Sequence, residues 1–359
     1  MSLIPFENIE NFRDSAEYTC AYGPMAKGII YRSGSLSHAS EEDLEKLYAM
    51  GIRSEIDLRG TKYSRVSPSP LYEKGVKVLE LDVPNGEGFV KDEEGVPGWY
   101  MSFVENPYFS RKVFQAFVNL PKPLLVHCEA GKDRTGTFLV LLLLANGVSK
   151  EDAMHSYNFS YGEGVLDKTK RRTLEHYGNV PDFVFHMAPE TIGTFIDQFF
   201  ERYGSIDNYF ETIGLSDSEI DALKNLYGVQ ETSAGAVVFH GNKVLVEHMV
   251  LGHYSIPKGH VEPTDKDLFA TARREIKEET GLDATIVPGF ASSSVYSPRP
   301  GHVKRVHWFI ATVENEDVTL QPEEVSDAYF LSPADALRVL THEDDRRVLT
   351  EACNEYFKD

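Results

Sequence analysis

Leu125-Val126-His127-Cys128-Glu129-Ala130-Gly131-Lys132-Asp133-Arg134-Thr135-Gly136 is the stretch that decides the reading of the first half of the chain. Lys122-Pro123 precedes an apolar segment, Leu124–Val126, which predicts a buried strand ending at His127. The apolar run Phe138–Ala145 predicts a buried helix starting near Arg134, and it is far short of the roughly 20 residues a membrane span needs. Between strand and helix lies a short loop holding Ala130 and Gly131. Such a loop can curl its backbone N–H groups around an anion at the helix N-terminus. The same positive end favours a thiolate at Cys128, the nucleophile expected here. Arg134, six residues on, can grip two phosphate oxygens bidentately. Thr135 can donate a hydrogen bond to the thiolate, and Asp133 can protonate a leaving oxygen as general acid. Lys132 is expected to add positive charge at the rim. Glu129, Ala130, Gly131, Lys132 and Thr135 thus form the expected phosphate cradle. Gly131-Lys132 is followed by Asp133 rather than Ser or Thr, which excludes a nucleotide-binding Walker loop.

The rest of the chain sets this loop in context. At 359 residues, the length fits two domains better than one. Lys and Arg number 36 against 56 Asp and Glu, a net charge of −20, which argues against a partner that is a nucleic-acid polymer or an anionic membrane surface. Residues 1–228 carry −11 and 229–359 carry −9, so neither half is a basic module. The three cysteines, Cys20, Cys128 and Cys353, are too few for a disulfide scaffold. Met1–Glu10 lacks the basic and apolar regions of a signal peptide. No transmembrane segment and a reducing, cytoplasmic setting are the expectation. No repeat or low-complexity tract is present. Short strands are expected at Gly28–Tyr31 and Ser54–Leu58, with a helix at Glu41–Ala49. A helical pattern runs from Ser149 to about Leu226.

After Tyr227-Gly228 the texture turns to strands, and the domain boundary is placed there, giving domains 1–228 and 229–359. Ala234–Phe239 and Lys243–Glu247 flank His240-Gly241-Asn242, a hairpin signal. Further strands are expected at Ala284–Val287 and Val303–Val313, and helices at Pro333–Leu340 and Arg346–Tyr356. One helix, Asp267–Thr280, is stopped by Gly281. On it Glu275, Glu278 and Glu279 stand at i, i+3 and i+4 and share a face. Three like charges on one face are either solvated or neutralised by a hard divalent cation.

Two resemblances sharpen these readings. His127-Cys128 through Arg134-Thr135-Gly136 resembles the signature loop of cysteine-dependent protein-tyrosine and dual-specificity phosphatases, in the variant of the bacterial tyrosine and phosphoinositide phosphatases. Asn11-Phe12-Arg13-Asp14, Tyr31-Arg32-Ser33-Gly34, Gly51-Ile52-Arg53 with Ile56–Arg59, and Arg202–Ser205 with Gly214–Ser216 look like that family's landmarks. The likeness spans about residues 6–228. It implies Asp133 as general acid and links Lys132 to highly anionic lipid headgroups. One departure is Ser15-Ala16-Glu17-Tyr18, where the family has a Gly-rich turn. Asp57 and Arg59, at a strand end, read as a structural ion pair.

Ile256-Pro257-Lys258-Gly259-His260-Val261-Glu262, then Arg274-Glu275-Ile276-Lys277-Glu278-Glu279 and Gly281-Leu282, resemble the Nudix box. Asp265 stands where Glu is usual. Lys266–Arg273 is one residue longer than the pattern, an insertion expected in the loop or first helical turn. Ser233–Ala236, Val325–Asp327 and Pro333–Leu340 look like the same family's flanks, over about residues 230–359. The resemblance implies Glu275, Glu278 and Glu279 as ligands of Mg²⁺ or Mn²⁺, with Glu278 and Glu279 in catalysis and Arg274 orienting them. Glu323 or Glu324 is a weaker candidate for an extra ligand or base. Lys258, Gly259, Lys304 and Arg305 are the expected substrate contacts. With His302 and His307 the lysines and Arg305 form an expected basic patch. His260 is placed by the phosphates or as a cap of the turn. Tyr254 or Tyr296 is a candidate base-stacking residue, and Tyr254 and Trp308 read equally as packing.

The expectation is an α/β protein: a cysteine-phosphatase-like α/β domain followed by a Nudix α/β/α sandwich with a mixed sheet. Its function would be bifunctional. A Cys128 phosphomonoesterase, needing no cofactor, would act on a phosphorylated protein, lipid or small molecule. A Mg²⁺-dependent Nudix site would cleave the diphosphate of a nucleoside or inositol polyphosphate. The alternative is a tyrosine phosphatase regulated by a non-hydrolytic, nucleotide-sensing Nudix domain.

Overall fold

The computed structural model describes residues 2–84 and 90–358. The chain divides into two compact units, residues 1–229 with 299–301, and residues 230–298 with 302–359.

The first unit is built on strands β1 (Arg13–Asp14), β2 (Thr19–Cys20), β3 (Gly23–Pro24), β4 (Ile30–Ser33), β5 (Ser54–Asp57), β6 (Lys77–Glu80) and β7 (Leu124–His127). Five of them form a sheet in the order β1-β4-β7-β5-β6, parallel except for β1, while β2 and β3 pair as a separate ribbon. The central strand β7 has all four residues buried. A parallel sheet covered on both faces requires such an unbroken apolar strand. Its Leu125 packs with Leu44 and Leu47 of helix α1 (Glu41–Ala49). Ser40 and Asp43 close a capping box at the start of α1.

The remaining helices of this unit are α2 (Thr61–Val66), α3 (Val96–Val104), α4 (Pro107–Asn119), α5 (Asp133–Ala145), α6 (Lys150–Asn158), α7 (Asp167–Tyr177), α8 (Glu190–Tyr203), α9 (Ile206–Thr212) and α10 (Asp217–Lys224). Helix α5 is apolar on nearly all sides, and its residues Phe138–Leu143 are each at most 1% exposed. A helix hydrophobic all round belongs in a core. The departure at Ser15–Tyr18 is absorbed by Asp14, whose carboxylate accepts from the N–H of Ala16 (2.9 Å) and of Gly28 (2.7 Å).

The second unit holds β8 (Val229–His240), β9 (Lys243–Met249), β10 (Tyr254–Ser255), β11 (Lys258–His260), helix α11 (Leu268–Thr280), β12 (Thr285–Tyr296), β13 (His302–Thr312), β14 (Val325–Leu331), α12 (Pro333–Val339) and α13 (Glu343–Tyr356). Its seven strands run in the order β10-β9-β8-β13-β12, with β11 on β8 and β14 on β9. The hairpin at Gly241-Asn242 forms as expected, with His240 opposite Lys243. The N–H of Val229 donates to Gly301 and that of Val313 to Phe239, so β8 and β13 run parallel. The other pairings are antiparallel, and the sheet is mixed. Val237, Val244, Val306 and Trp308 form the face under α12 and α13. Ala236, Leu245, Phe309 and Ala311 form the face under α11, around Ala272 and Ile276.

Two elements differ from expectation. The strand expected at Ala284–Val287 continues to Tyr296 across Pro288-Gly289, with a register shift between Val287 and Ser292. A bulge lets a strand accommodate residues that read as a break, and Gly289 takes φ +103° there. Val325–Leu331 is a full strand paired with β9, although its residues alternate little in burial. The extra residue before Arg274 lies in the loop: Asp267 caps α11, its side chain accepting from the N–H of Ala270 (2.8 Å). The helical register of Arg274–Gly281 is therefore intact.

Candidate active sites

Cys128 follows directly on β7, the middle strand of its sheet, and is 2% exposed. The loop from Cys128 to Lys132 then leads into α5 at Asp133. Ligands gather at such a point, outside the carboxyl ends of parallel strands and against a helix N-terminus. Three of the loop's carbonyls are held by donors from elsewhere in the unit. The Glu129 carbonyl accepts from the N–H of Ser35 (2.8 Å). The Ala130 carbonyl accepts from Asn11 Nδ2 (2.9 Å), and the Gly131 carbonyl from Asn11 Nδ2 (3.1 Å) and an Arg32 NH2 group (2.6 Å). In a trans peptide the next N–H points opposite to the carbonyl. The N–H groups of Ala130, Gly131 and Lys132 thus turn inward, as an anion nest requires. Gly131 sits at φ +63°, and a Cβ there would lie 2.0 Å from the Ser33 carbonyl oxygen. Only glycine fits.

Beneath the cysteine is a buried charge network. His127 Nε2 lies 2.8 Å from Glu55, and Nδ1 lies 3.2 Å from the Cys128 carbonyl oxygen and 4.0 Å from Asp57. Arg59 holds Asp57 through Nε and an NH2 group at 2.6–3.0 Å, the structural ion pair expected. Burial disfavours the imidazolium, but Asp57 and Glu55 outweigh it and lift the His127 pKa to about 9. Its ordinary value is about 6.5. A histidine whose pKa is raised on folding stabilises fully below its unfolded value and loses that contribution as pH rises through its folded value. Stability should therefore fall between about pH 6.5 and 9 by roughly 3 kcal/mol. Thermal denaturation of the full chain against pH checks this. A His127→Gln chain that keeps the same slope over that window removes His127 as its source.

Two residues differ from expectation. Lys132 is not at the rim. It is buried, its Nζ donating to the Val184 carbonyl (2.6 Å) and lying 4.6 Å from the Tyr161 ring centre, because the helix start turns its stem inward. Thr135 does not donate to Cys128. Its hydroxyl is buried and, among the described residues, has no hydrogen-bond partner. Arg134 donates from an NH1 group to the carbonyls of Leu58 (3.0 Å) and Arg59 (3.4 Å), which anchors it beside the loop. Glu129 is exposed. Asp133 Oδ1 accepts from the hydroxyls of Tyr100 (2.6 Å) and Tyr157 (3.4 Å). Burial and then the Asp133 carboxylate hold both phenols far above the usual tyrosine range, so each remains a donor. These tyrosines carry no signal in sequence. Arg32 did, as part of the landmark Tyr31-Arg32-Ser33-Gly34, although the strand expected at Gly28–Tyr31 lies at Ile30–Ser33 and so includes it.

In the second unit Glu275 and Glu279 are buried and Glu278 is exposed. Gly259 lies so close to the Glu275 carboxylate that a Cβ would stand 2.0 Å from it. The Lys258 N–H donates to Glu279 (3.1 Å). Arg274 holds the group together, donating to Glu275 (2.8 Å), Glu278 (2.9 Å), the His260 carbonyl (2.7 Å) and both oxygens of Asp265 (3.1 and 3.0 Å). Asp265 is thus the clasp of Arg274, and hydrogen bonding from Arg274 keeps its carboxyl well below the usual range. Burial raises the pKa of both Glu275 and Glu279, and Glu247, on β9, raises that of Glu279 further. Glu247 is 1% exposed and, among the described residues, neither of its oxygens has a hydrogen-bond partner. Buried carboxylates crowded together, with Glu247 among them lacking a donor from the described residues, fit a hard divalent cation. Glu323 and Glu324 are exposed, and the Glu324 charge reaches both Glu247 and Glu275.

The expected basic patch is divided. Side chains alternate along a strand, so Lys304 and Arg305 lie on opposite faces of β13, Lys304 on that of Trp308 and Arg305 with His307 on the other. Burial, then Lys258, lowers the pKa of Lys304, and the charges of Glu275 and Glu279 also reach it. Arg305 is not placed with this group. His260 and His302 both bond Glu231, at 3.1 and 2.5 Å. Trp308 is a core residue whose ring N–H donates to Ser294 (2.9 Å). Tyr254 stacks on His248, with ring centres 4.5 Å apart.

A cysteine on an anion nest and a glutamate helix clasped by arginine define two enzyme classes on one chain. Residues 4–228 match the tyrosine phosphatase family and residues 229–352 the NUDIX domain. The chain belongs to the tyrosine phosphatase family and is a fusion of such a domain with a Nudix domain; both are enzyme families. It is 28% identical over 245 residues to a tyrosine-protein phosphatase of Nostoc commune, covering 59% of this chain and 80% of that protein. It is 23% identical over 279 residues to the triple specificity protein phosphatase PtpB of Mycobacterium tuberculosis, covering 60% of this chain and 95% of that protein. It is 36% identical over 103 residues to the asymmetrical bis(5'-nucleosyl)-tetraphosphatase of Sus scrofa, covering 28% of this chain and 69% of that protein. Among the described residues, no helix is long and apolar enough to cross a membrane.

Proposed function

We propose that the chain is a bifunctional phosphohydrolase. Its first site would hydrolyse phosphomonoesters through Cys128, and its second would cleave the diphosphate linkage of a dinucleoside polyphosphate or a related inositol polyphosphate. The inward N–H groups of Ala130–Lys132 around Cys128 carry the first reading. Three phosphoryl oxygens would rest on those N–H groups and on the Nε edge of Arg134. Cys128 Sγ attacks phosphorus, the S–P bond forming as the ester P–O bond breaks, and Asp133 gives its proton to the leaving oxygen. Water then attacks the phosphocysteine, Asp133 takes the proton, and phosphate leaves with the thiolate restored. The likeness to a triple specificity phosphatase supports a substrate range wider than phosphotyrosine. Unpaired Cys20, Cys128 and Cys353 suit a reducing, cytoplasmic setting.

The Tyr100 hydroxyl aims the Asp133 carboxyl. Tyr100→Phe should lower kcat about tenfold, the worth of one such hydrogen bond. The loss should be larger for phenyl phosphate than for p-nitrophenyl phosphate, whose leaving group needs little protonation. Equal losses on the two esters would exclude an effect through Asp133.

At the second site Glu275, Glu278 and Glu279 would hold Mg²⁺ or Mn²⁺. When bound, the cation supplies charge neutralisation of the diphosphate and an activated water. Arg274, fixed by Asp265, orients the glutamates, and Lys258 and Lys304 offset polyphosphate charge. The intact register of Arg274–Glu279 supports hydrolysis over a purely sensing role. The similarity to asymmetrical bis(5'-nucleosyl)-tetraphosphatases supports a dinucleoside tetraphosphate as the substrate. A screen with and without EDTA tests both readings. Phosphotyrosyl peptide and phosphoinositide turnover should survive EDTA, and dinucleoside tetraphosphate cleavage should not. Both surviving, or both vanishing, overturns the division of labour.

A further inference from the structure

Glu247 stands outside the Gly259–Leu282 segment and belongs to no motif of the sequence. It lies on β9 after three buried apolar residues, Val244, Leu245 and Val246. Val244 and Val246 face α12 and α13, and Leu245 faces α11. Alternation puts Glu247 on the α11 side, with Leu245. An aliphatic residue would fill this place without penalty. Instead a carboxylate is 1% exposed with both oxygens unpartnered among the described residues. An unpaired buried charge is costly, and such groups persist where something binds them.

Its surroundings say what would bind. Glu247 lies within electrostatic reach of Glu275, Glu279 and Glu324. The nearby Lys258 donates its Nζ to Ser255 Oγ (2.8 Å), and its backbone N–H goes to Glu279. Among the described residues no protein donor therefore meets the Glu247 oxygens, and the charges that reach it are the Lys258 ammonium and the carboxylates of Glu275 and Glu324. A hard divalent cation is the ligand that satisfies such a group, since it takes oxygen donors and cancels their repulsion.

We propose that Glu247 is a fourth protein carboxylate of the Nudix metal centre, contributed by the sheet and facing the glutamates of α11. The proposal rests on the reading that Glu275 and Glu279 hold a divalent cation. It assigns to this chain a ligand that cannot be found from the box spacing, and it gives the sheet strand a part in holding a polyphosphate-bound cation.

Mn²⁺ binding to the full chain, followed by the electron paramagnetic resonance of the free ion, separates the two claims without recourse to activity. Glu247→Gln keeps the shape and removes the charge. It should weaken Mn²⁺ binding about tenfold or more, or remove one ion per chain. Glu275→Gln should do so as well. Glu247→Asp retains a carboxylate and should recover most of the binding. Without metal, Glu247→Gln should melt no lower than the wild type, because an unpaired charge has gone, and its Mn²⁺-induced rise in melting temperature should shrink. Unchanged Mn²⁺ affinity and stoichiometry in Glu247→Gln, with loss in Glu275→Gln, overturns the role of Glu247 alone. Unchanged binding in both overturns the metal reading itself. A Glu247→Asp chain that binds no better than Glu247→Gln also overturns the proposal.

Discussion

Cys128→Ser should abolish phosphomonoester hydrolysis, by on the order of 10⁴-fold or more, and leave dinucleoside tetraphosphate cleavage at its wild-type rate. The expected size follows from chemistry. A thiol ionises far more readily than an alcohol, while a serine hydroxyl there remains protonated and, among the described residues, has no adjacent base to activate it. His127 cannot serve. Its Nε2 is committed to Glu55 and its Nδ1 faces the Cys128 carbonyl oxygen rather than the side chain. The exchange of sulfur for oxygen keeps the loop intact, because the carbonyls of Glu129, Ala130 and Gly131 are held by Ser35, Asn11 and Arg32 and not by the cysteine. The variant should therefore still bind vanadate or phosphate. Phosphate release assayed in EDTA on p-nitrophenyl phosphate and on a phosphotyrosyl peptide measures the loss. Residual activity above a tenth of wild type would show that another nucleophile acts.

The second large effect is expected at α11. Glu278→Gln should reduce dinucleoside tetraphosphate hydrolysis by on the order of 10³-fold, several kcal/mol of transition-state stabilisation, with phosphomonoester hydrolysis unchanged. Glu278 is the exposed member of the three glutamates and is held by Arg274 at 2.9 Å. Neutralising it should cost little stability, so the loss reports on chemistry rather than folding. Glu275→Gln should be as inactive but is a less clean test, because that side chain is packed against Gly259. EDTA should reproduce the Glu278→Gln result on the wild type and leave the cysteine site untouched. A Glu278→Gln chain cleaving at more than a tenth of the normal rate would remove Glu278 from the catalytic set.

The two candidate sites were legible to different degrees. In each, the spacing of local residues was readable because strand, loop and helix geometry is local. Cys128 to Arg134 spans one loop, and Glu275 to Glu279 one helical turn. Side-chain direction was less readable. Lys132 reads as a rim charge, yet its stem is turned inward to Val184. Lys304 and Arg305 read as a pair, yet adjacency in a strand places them on opposite faces. Asp265 reads as the acid of the box standing where Glu is usual, and its partner, Arg274, is set by the fold. Partners brought from far along the chain were not readable. Tyr100 and Tyr157 reach Asp133 over separations of 33 and 24 residues.

By itself the sequence determined that the chain holds two phosphate-cleaving frameworks, one built on a cysteine and an arginine, the other on glutamates. It did so because nucleophile, cradle and metal-type ligands each sit within a few residues on one element, where backbone periodicity fixes who faces whom. Only the tertiary structure decided which donors pull the loop carbonyls outward around Cys128, what aims Asp133, and that Glu247 joins the acidic face of α11. Those relations arise where separate strands and helices pack together, and burial there sets which polar groups are left without a partner. No local pattern records it.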